Sequence, residues 1–191
     1  ISSKDRPLVD SVQLEHARTL CRRDEQNVEL SSVVRDTVIC GSVVRIRKGF
    51  GGNLQIFASD SVIVEEGAML EYPSGIYVDS GERRPYVSLE RGSKVNGYII
   101  VTSQNSDSQL RHPSYVQKSG ATINGLLYVD GSCNIEGDII GAAYVKDCYY
   151  YSNGNVYAGT LYDAKVVRSD SLAFPIFLKG PYERKMIKKL H

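Results

Sequence analysis

The side chains of this sequence that could do acid–base chemistry are a scattered set of carboxylates. Glycoside-cleaving enzymes use two carboxyl groups that flank the scissile bond, one of them as the acid. Candidates for such a pair are Asp79, Glu82, Asp130, Glu136 and Asp138. The sequence does not show that any two of them meet, and outward positions on strands and turns explain them equally well. A carbohydrate-cleaving or carbohydrate-binding protein is therefore the alternative hypothesis.

The histidines offer little for catalysis. They are His16, His112 and the terminal His191, and only His112, beside Arg111 and Pro113, lies in a predicted loop. A single loop histidine is more often solvent-exposed than catalytic. It would matter in a hexapeptide acyltransferase, a β-helical enzyme with one catalytic histidine. That family needs a steady six-residue repeat, and the repeats here are uneven.

Sequence motifs for nucleophilic, metal or phosphate chemistry are missing. There is no G-x-S-x-G, H-E-x-x-H or G-x-x-x-x-G-K-[ST]. The glycine-rich residues 49–53 are predicted to form a turn, because no helix pattern follows them. The net charge of +1 gives no field that would attract nucleic acid. We therefore predict no catalytic residue, no cofactor, no metal site and no nucleic-acid partner, and a protein without enzymatic activity is favoured.

The four cysteines leave two interpretations open. Cys21, Cys40, Cys133 and Cys148 form no C-x-x-C pair and fit no zinc spacing. They could be four small buried hydrophobic side chains. Alternatively, an exported protein could carry one or two disulfides. In that case Cys133 and Cys148 are the expected pair, because adjacent coils of the fold could bring them together.

The elements that must position these residues are short strands. Between residues 28 and 168, runs of β-branched and aromatic residues are separated by Gly, Asn, Asp or Ser. Residues 92–101 align with residues 120–129, sharing G-[SA]-x-[VI]-N-G followed by four apolar residues. Looser copies lie at 131–140, 154–161 and 66–70. Such units cannot bury their apolar faces alone, so we predict an all-β, single-stranded β-helix, or solenoid. In each unit the Val or Ile points inward, the next residue, Asn or Glu, faces water or stacks in a polar ladder, and the second Gly turns a corner.

The ends of the chain are predicted to cap this solenoid. Residues 1–27 would form the N-terminal cap, with a short helix around 11–22. The β-helix would span 28–168, with a polar excursion loop at 102–119. Residues 169–191 would form the C-terminal cap and a short basic helix. That helix either has a solvated basic face or contacts a membrane surface or an anionic partner.

Two apolar runs are the best indication of function. Residues 98–101 and 126–129 are apolar in both alternating positions of a strand. Whichever set faces inward, the other places large apolar groups outside, where a terminal segment or another molecule must cover them. Ile99 and Leu127 are the candidate interaction residues. Tyr149, Tyr150 and Tyr151 are further candidates, and with Tyr144 they could also stack on sugar rings.

The glycine-punctuated units of residues 90–162 resemble those of the bactofilins, polymer-forming bacterial β-helix scaffolds. This resemblance implies a right-handed β-helix with little chemistry that associates end to end. The irregular repeats, the long loop and the terminal segments depart from the compact family core. We predict a non-enzymatic structural or interaction module of a bacterial envelope or scaffold, with a protein partner or self-association and glycan as an alternative ligand. The chain begins at Ile1, and a preceding segment could be a signal or an anchor. The expected location is extracytoplasmic or membrane-associated, the latter only through such a segment, with the cytoplasm as the alternative.

Overall fold

The computed structural model describes residues 18–21, 27–31, 33–104 and 112–169. This part of the chain is all-β, as predicted, and contains twelve strands. They are β1 (Arg18–Cys21), β2 (Asn27–Leu30), β3 (Val34–Ile46), β4 (Gly51–Val64), β5 (Met69–Asp79), β6 (Tyr86–Leu89), β7 (Lys94–Thr102), β8 (Tyr115–Gln117), β9 (Thr122–Ile135), β10 (Asp138–Ser152), β11 (Asn155–Ala158) and β12 (Val166–Val167).

Six parallel strands close a hydrogen-bonded ring, in the order β4, β5, β7, β9, β8, β6 and back to β4. Strand β3 extends the ring beside β4 and carries β1 and β2. Strand β10 lies beside β9, and β11 and β12 pair with β10. The fold is therefore a closed barrel with additional strands.

The prediction of a single-stranded β-helix is wrong, and β4 and β9 show why. Each is 14 residues long and pairs with a different neighbour along each half. Residues 51–58 of β4 pair with β5, whereas its residues 61–64 pair with β6. Strand β9 divides in the same way between β7 and β8. The sequence shows short runs and glycines, but not that hydrogen bonding continues through these bent strands and closes a ring.

The strongest repeat was identified in its correct register. Strand β7 pairs with β9 so that Val95 lies opposite Ile123 and Gly97 opposite Gly125. The predicted polar ladder is present, since the Asn124 side-chain amide donates to Asn96 Oδ1 at 2.6 Å. Both glycines have positive φ, and a Cβ on Gly125 would lie 1.6 Å from the carbonyl oxygen of Gly97. Only glycine fits this close approach of two backbones.

Two weaker repeat copies were misplaced. In the copy at 131–140, Ile135 was aligned with Ile123, but the structure places Ile139 opposite Ile123. The copy at 154–161 does not continue the parallel sheet, because β11 forms an antiparallel hairpin with β10. The early copy at 66–70 is confirmed, since Leu70 lies opposite Val95.

Four tight turns at one edge of the sheet share a single geometry. Each is closed by a backbone hydrogen bond of 3.0–3.1 Å and contains a glycine with φ between 69° and 78°. The residue after each glycine is buried. These glycines are Gly49, Gly67, Gly92 and Gly120. Positive φ favours glycine at this position, which explains why glycines punctuate the sequence.

Two predictions about connecting segments need correction. Arg18–Cys21 forms β1, so the helix predicted around 11–22 does not extend to its end. The loop predicted at 102–119 contains β8, and its Tyr115 is fully buried inside the ring. The hydroxyl of Tyr115 donates to Gln117 Oε1 at 3.1 Å, so this polar-looking segment supplies core residues. The basic helix predicted within 169–191 lies outside the described residues.

Candidate interaction surface

The core and the outer surface of the barrel are built from neighbouring residues of the same strands. An inward column runs across β3, β4, β5, β7 and β9, and each of its members is at most 1% exposed. It consists of Ile39, Ile56, Ile76, Ile99 and Leu127. Side chains alternate between the two faces of a strand, so the residues on either side of this column face outward.

These flanking residues form two columns that we call the outer wall. One column contains Val38, Gln55, Gly75, Tyr98, Leu126 and Ala142. The other contains Cys40, Phe57, Tyr77, Ile100, Tyr128 and Tyr144. None of these side chains is Lys, Arg, Asp or Glu. The outer wall is therefore an uncharged, mainly apolar strip that crosses six strands, about 4.8 Å apart.

Several large side chains of the outer wall are open to solvent. Phe57 is 45% exposed, Tyr128 42% and Tyr144 62%. The rings of Phe57 and Tyr77 lie side by side with their centroids 6.0 Å apart. Single exposed apolar residues are ordinary, but a contiguous patch is typical of an interaction site.

Tyr98 lies against the middle of the outer wall instead of projecting from it. Its hydroxyl donates to Gln55 Oε1 at 2.6 Å. Its ring occupies the space above Gly75, where an added Cβ would come within 2.2 Å of the Tyr98 ring. Burial raises the pKa of the Tyr98 phenol. Because Gly75 has no side chain, the Tyr98 ring packs flat against the sheet and does not protrude from the centre of the outer wall.

The prediction of Ile99 and Leu127 as interaction residues is wrong in its choice of face. Both are fully buried, and the outward groups are their neighbours Ile100 and Tyr128. The sequence held a signal that could have decided this. In β9, Asn124 and Asp130 alternate in step with Tyr128, and polar residues at alternate positions mark the solvent side.

Tyr149, Tyr150 and Tyr151 lie beyond the outer wall, on the end of β10 that pairs with β11. Tyr150 stacks on Tyr162 with a centroid separation of 4.3 Å, and Tyr157 lies 6.2 Å from Tyr150. Burial raises the pKa of Tyr149. Tyr149, Tyr150 and Tyr151 are less exposed than Tyr144, and Tyr150 forms a separate aromatic cluster with Tyr157 and Tyr162.

The predicted carboxylates are not brought together. Asp79 lies opposite Thr102, and Asp130 follows on the far side of β7. One strand therefore lies between the two aspartates, whose Cα atoms are about 9.6 Å apart. Glu136 accepts from the Asn134 amide at the end of β9. Glu82 is exposed in the turn after β5. Asp138, at the start of β10, accepts a hydrogen bond from the Lys165 backbone amide at 3.2 Å.

His112 is exposed just before β8, which pairs with Cys133, Asn134 and Ile135 of β9. A depression of about 320 Å³ lies at the turn between β10 and β11. It is open to solvent and is lined by Tyr151, Ser152, Asn153, Gly154, Asn155 and Val156. These residues include no carboxylate, histidine or cysteine, so the depression offers no acid–base or metal-binding group.

The cysteines differ from one another in state. Cys40 is disulfide-bonded, so the interpretation of four buried hydrophobic side chains is wrong for this residue. Cys133 and Cys148 are free thiols, so they are not the disulfide that the alternative interpretation expected. They do lie opposite each other on β9 and β10, as the argument from adjacent coils required.

Metal-ligand clusters and long apolar helices are absent from the described ranges. In these ranges, no three His, Cys, Asp or Glu side chains are grouped so that they could hold a metal ion. No helix there is long and apolar enough to cross a membrane. No family model, curated protein or solved structure matches the chain. The geometry of the outer wall is therefore the observation from which a function can be argued.

Proposed function

We propose that this chain is a non-enzymatic assembly module that associates with a second copy of itself through the outer wall. The observation that carries this proposal is the apolar strip across six strands, with Phe57, Tyr128 and Tyr144 exposed. Burial of apolar surface contributes about 25 cal/mol per Å². A flat strip that presents aliphatic and aromatic groups together suits a protein surface better than a small solute.

A second copy is favoured over an unrelated protein because the outer wall carries no charge. An isologous contact brings the same patch of two subunits together. Like charges would then face each other and oppose the contact, but neither wall column contains a charged residue. Tyr98, held flat by Gln55, leaves the centre free of a protruding side chain. The resemblance to bactofilins stays a prediction, and polymer formation in that family agrees with self-association.

A structural role in a bacterial envelope is part of the same proposal. The disulfide at Cys40 supports an extracytoplasmic location, because disulfides persist in oxidising compartments and are rare in the cytosol. The ion pairs at the turns suit a rigid module. Arg47 binds both Glu29 and Glu65, at 2.7 and 2.9 Å, and so joins β2 to the turns that follow β3 and β4.

Sedimentation velocity across a wide concentration range tests self-association. The wild-type chain should form dimers or larger species as its concentration rises. Tyr128→Glu should shift this transition to at least about tenfold higher concentration, since a buried charge without a partner costs more than 1.4 kcal/mol. Tyr86→Glu is the matched control, because Tyr86 is 39% exposed on β6, outside both wall columns. A wild-type chain that stays monomeric, or two variants that behave alike, would refute the proposal.

A glycan-binding function is the second candidate, and a row of polar groups favours it. Asp79, Thr102 and Asp130 follow the wall column that contains Tyr77 and Tyr128. Aromatic rings beside hydrogen-bonding groups suit sugar rings with hydroxyls. A glycan array with the wild type and Asp130→Asn distinguishes the candidates. Glycan binding that is lost in Asp130→Asn would favour this function, and an array without signal would remove it.

A further inference from the structure

The two free cysteines lie in a position suited to disulfide exchange. Cys148 on β10 is the Cα partner of Cys133 on β9. Neighbouring strands are about 4.8 Å apart, within the ~4.4–6.8 Å Cα separation of disulfides. Cys133 is fully buried in the core, whereas Cys148 is half-buried at its edge, so Cys148 is the more accessible of the two residues.

An irregularity in the sheet creates this juxtaposition. Val145 lies opposite Val129, an offset of 16 residues (145 − 129), whereas Asp147 lies opposite Ser132, an offset of 15 (147 − 132). Without this shift Cys148 would lie opposite Ser132. Sheet irregularities of this kind re-aim side chains and are often found beside functional sites.

Hydrogen bonding makes the two sulfurs unequal. Hydrogen bonding with Cys133 and with the backbone amides of Tyr149 and Ile135 lowers the pKa of Cys148. The hydrogen bond with Cys148, together with burial, raises the pKa of Cys133. Cys133 Sγ also donates to the Asp147 carbonyl at 3.1 Å. The thiolate, which is the nucleophilic form, is therefore favoured on Cys148 relative to Cys133.

We propose that Cys148 and Cys133 form a thiol–disulfide exchange pair toward small-molecule disulfides of the oxidised-glutathione class. Cys148 thiolate attacks one sulfur of the disulfide, forms a mixed disulfide and releases the first thiolate. Cys133 then attacks Cys148 Sγ, its proton passes to the released thiolate, and the second thiolate departs. Two protein thiols are oxidised and one small disulfide is reduced to two thiols, so atoms and electrons balance.

The pair lies at the base of the β10–β11 hairpin. The Gly159 amide donates to the Cys148 carbonyl at 2.7 Å, and Cys148 Sγ lies 3.6 Å from the Thr160 carbonyl. A disulfide would fasten this base to β9, next to the stacked Tyr150 and Tyr162. Oxidation should therefore raise the thermal unfolding midpoint by several degrees, about the shift that a crosslink closing a 15-residue loop gives.

The first experiment titrates the full chain with buffers of graded oxidised and reduced glutathione. Intact mass and non-reduced peptide mapping should show the loss of two hydrogens and a link between residues 133 and 148, reversed by reduced glutathione. The Cys40 disulfide is an internal reference, since it is already present before oxidant is added. No link at any ratio, or a lasting glutathione adduct on the wild type, would overturn the proposal.

Single variants test the assigned roles. Cys133→Ala should accumulate one glutathione on Cys148, because no resolving thiol remains. Cys148→Ala should leave Cys133 unmodified, because Cys133 is buried and protonated. Should either variant fail to fold, alkylation of the wild type by iodoacetamide decides the order, and Cys148 should react at least about tenfold faster than Cys133. Equal or reversed reactivity would contradict the assignment.

Discussion

Both faces of the central strands carry large apolar side chains, but only the inward face is buried. Inward, Ile76, Ile99 and Leu127 pack in the core with no exposed surface. Outward, Phe57 and Tyr128 from the same sheet are each more than 40% exposed. Apolar character alone therefore does not identify the core of a sheet. The exposed face is the one whose alternate positions along the strand also hold polar residues, as Asn124 and Asp130 do beside Tyr128 on β9.

The inner face should be the more sensitive to truncation, so the largest effect is expected there. Leu127→Ala removes a fully buried side chain from the inward column and leaves a cavity. We expect it to lower the free energy of unfolding by about 2–5 kcal/mol. Urea denaturation of this variant beside Tyr128→Ala measures the contrast. Equal losses for the two neighbours would show that the assignment of faces is wrong.

Gly75→Ala tests the flatness of the outer face. The new methyl would displace the Tyr98 ring, because its Cβ would lie 2.2 Å from the ring. Loss of the Tyr98–Gln55 hydrogen bond and of packing should cost about 1–2 kcal/mol. The pKa of Tyr98, raised by burial, should fall toward its ordinary value. Ultraviolet titration measures this, with Tyr98→Phe identifying the Tyr98 signal, and an unchanged titration would contradict the account.

Tyr128→Ala should have a small effect on stability and a large one on association. Tyr128 is 42% exposed and packs on the outside between Ile100 and Tyr144. Loss of these cross-strand contacts should cost less than about 1 kcal/mol. Thermal unfolding of a dilute sample measures stability, and light scattering of a concentrated one measures association. A large destabilisation with unchanged association would reverse the roles of the two faces.

The smallest effect on stability is expected at the charged turns, which contrast with the uncharged outer wall. The Lys48 backbone amide and then Arg47 and Arg45 lower the pKa of Glu65 below its ordinary 4.5. A lowered carboxylate pKa contributes stability that is present above pH 4.5 and is lost as the pH falls below it. In Glu65→Gln, the free energy of unfolding should decrease less as the pH falls, by less than about 1 kcal/mol relative to the wild type. Stability measured from pH 7 to 3 checks it, and an unchanged slope would exclude Glu65.

Part of the fold could be predicted because repeated residues pair with each other. The units at 92–101 and 120–129 lie in the predicted register, down to Gly97 opposite Gly125. Ring closure could not be predicted, because it depends on both ends of β4 and β9 finding different partners. Strand β8 was not predicted, because a polar residue such as Gln117 is typical of a loop. In the structure Gln117 is buried, and its side-chain amide donates a hydrogen bond to the Ala121 carbonyl.

The candidate site was only half predictable for a related reason. Apolar runs in both alternating positions predicted an exposed apolar face, and the outer wall is that face. Its members Phe57 and Tyr77 were not singled out, because neither lies in a run of four successive apolar residues and only pairing aligns them with Tyr128. That Cys133 and Cys148 lie close together was predicted, but the register shift in β10 that places them opposite each other has no signature in the sequence.

Covalent footprinting by hydroxyl radicals tests most directly that the outer wall is the association surface. The chain is labelled at a series of concentrations, and the modification of each aromatic residue is measured by mass spectrometry. We predict that labelling of Phe57, Tyr128 and Tyr144 falls as association proceeds, while Tyr86 on β6 keeps its labelling. Association that protects Tyr86 and leaves Phe57 and Tyr128 open would contradict the account.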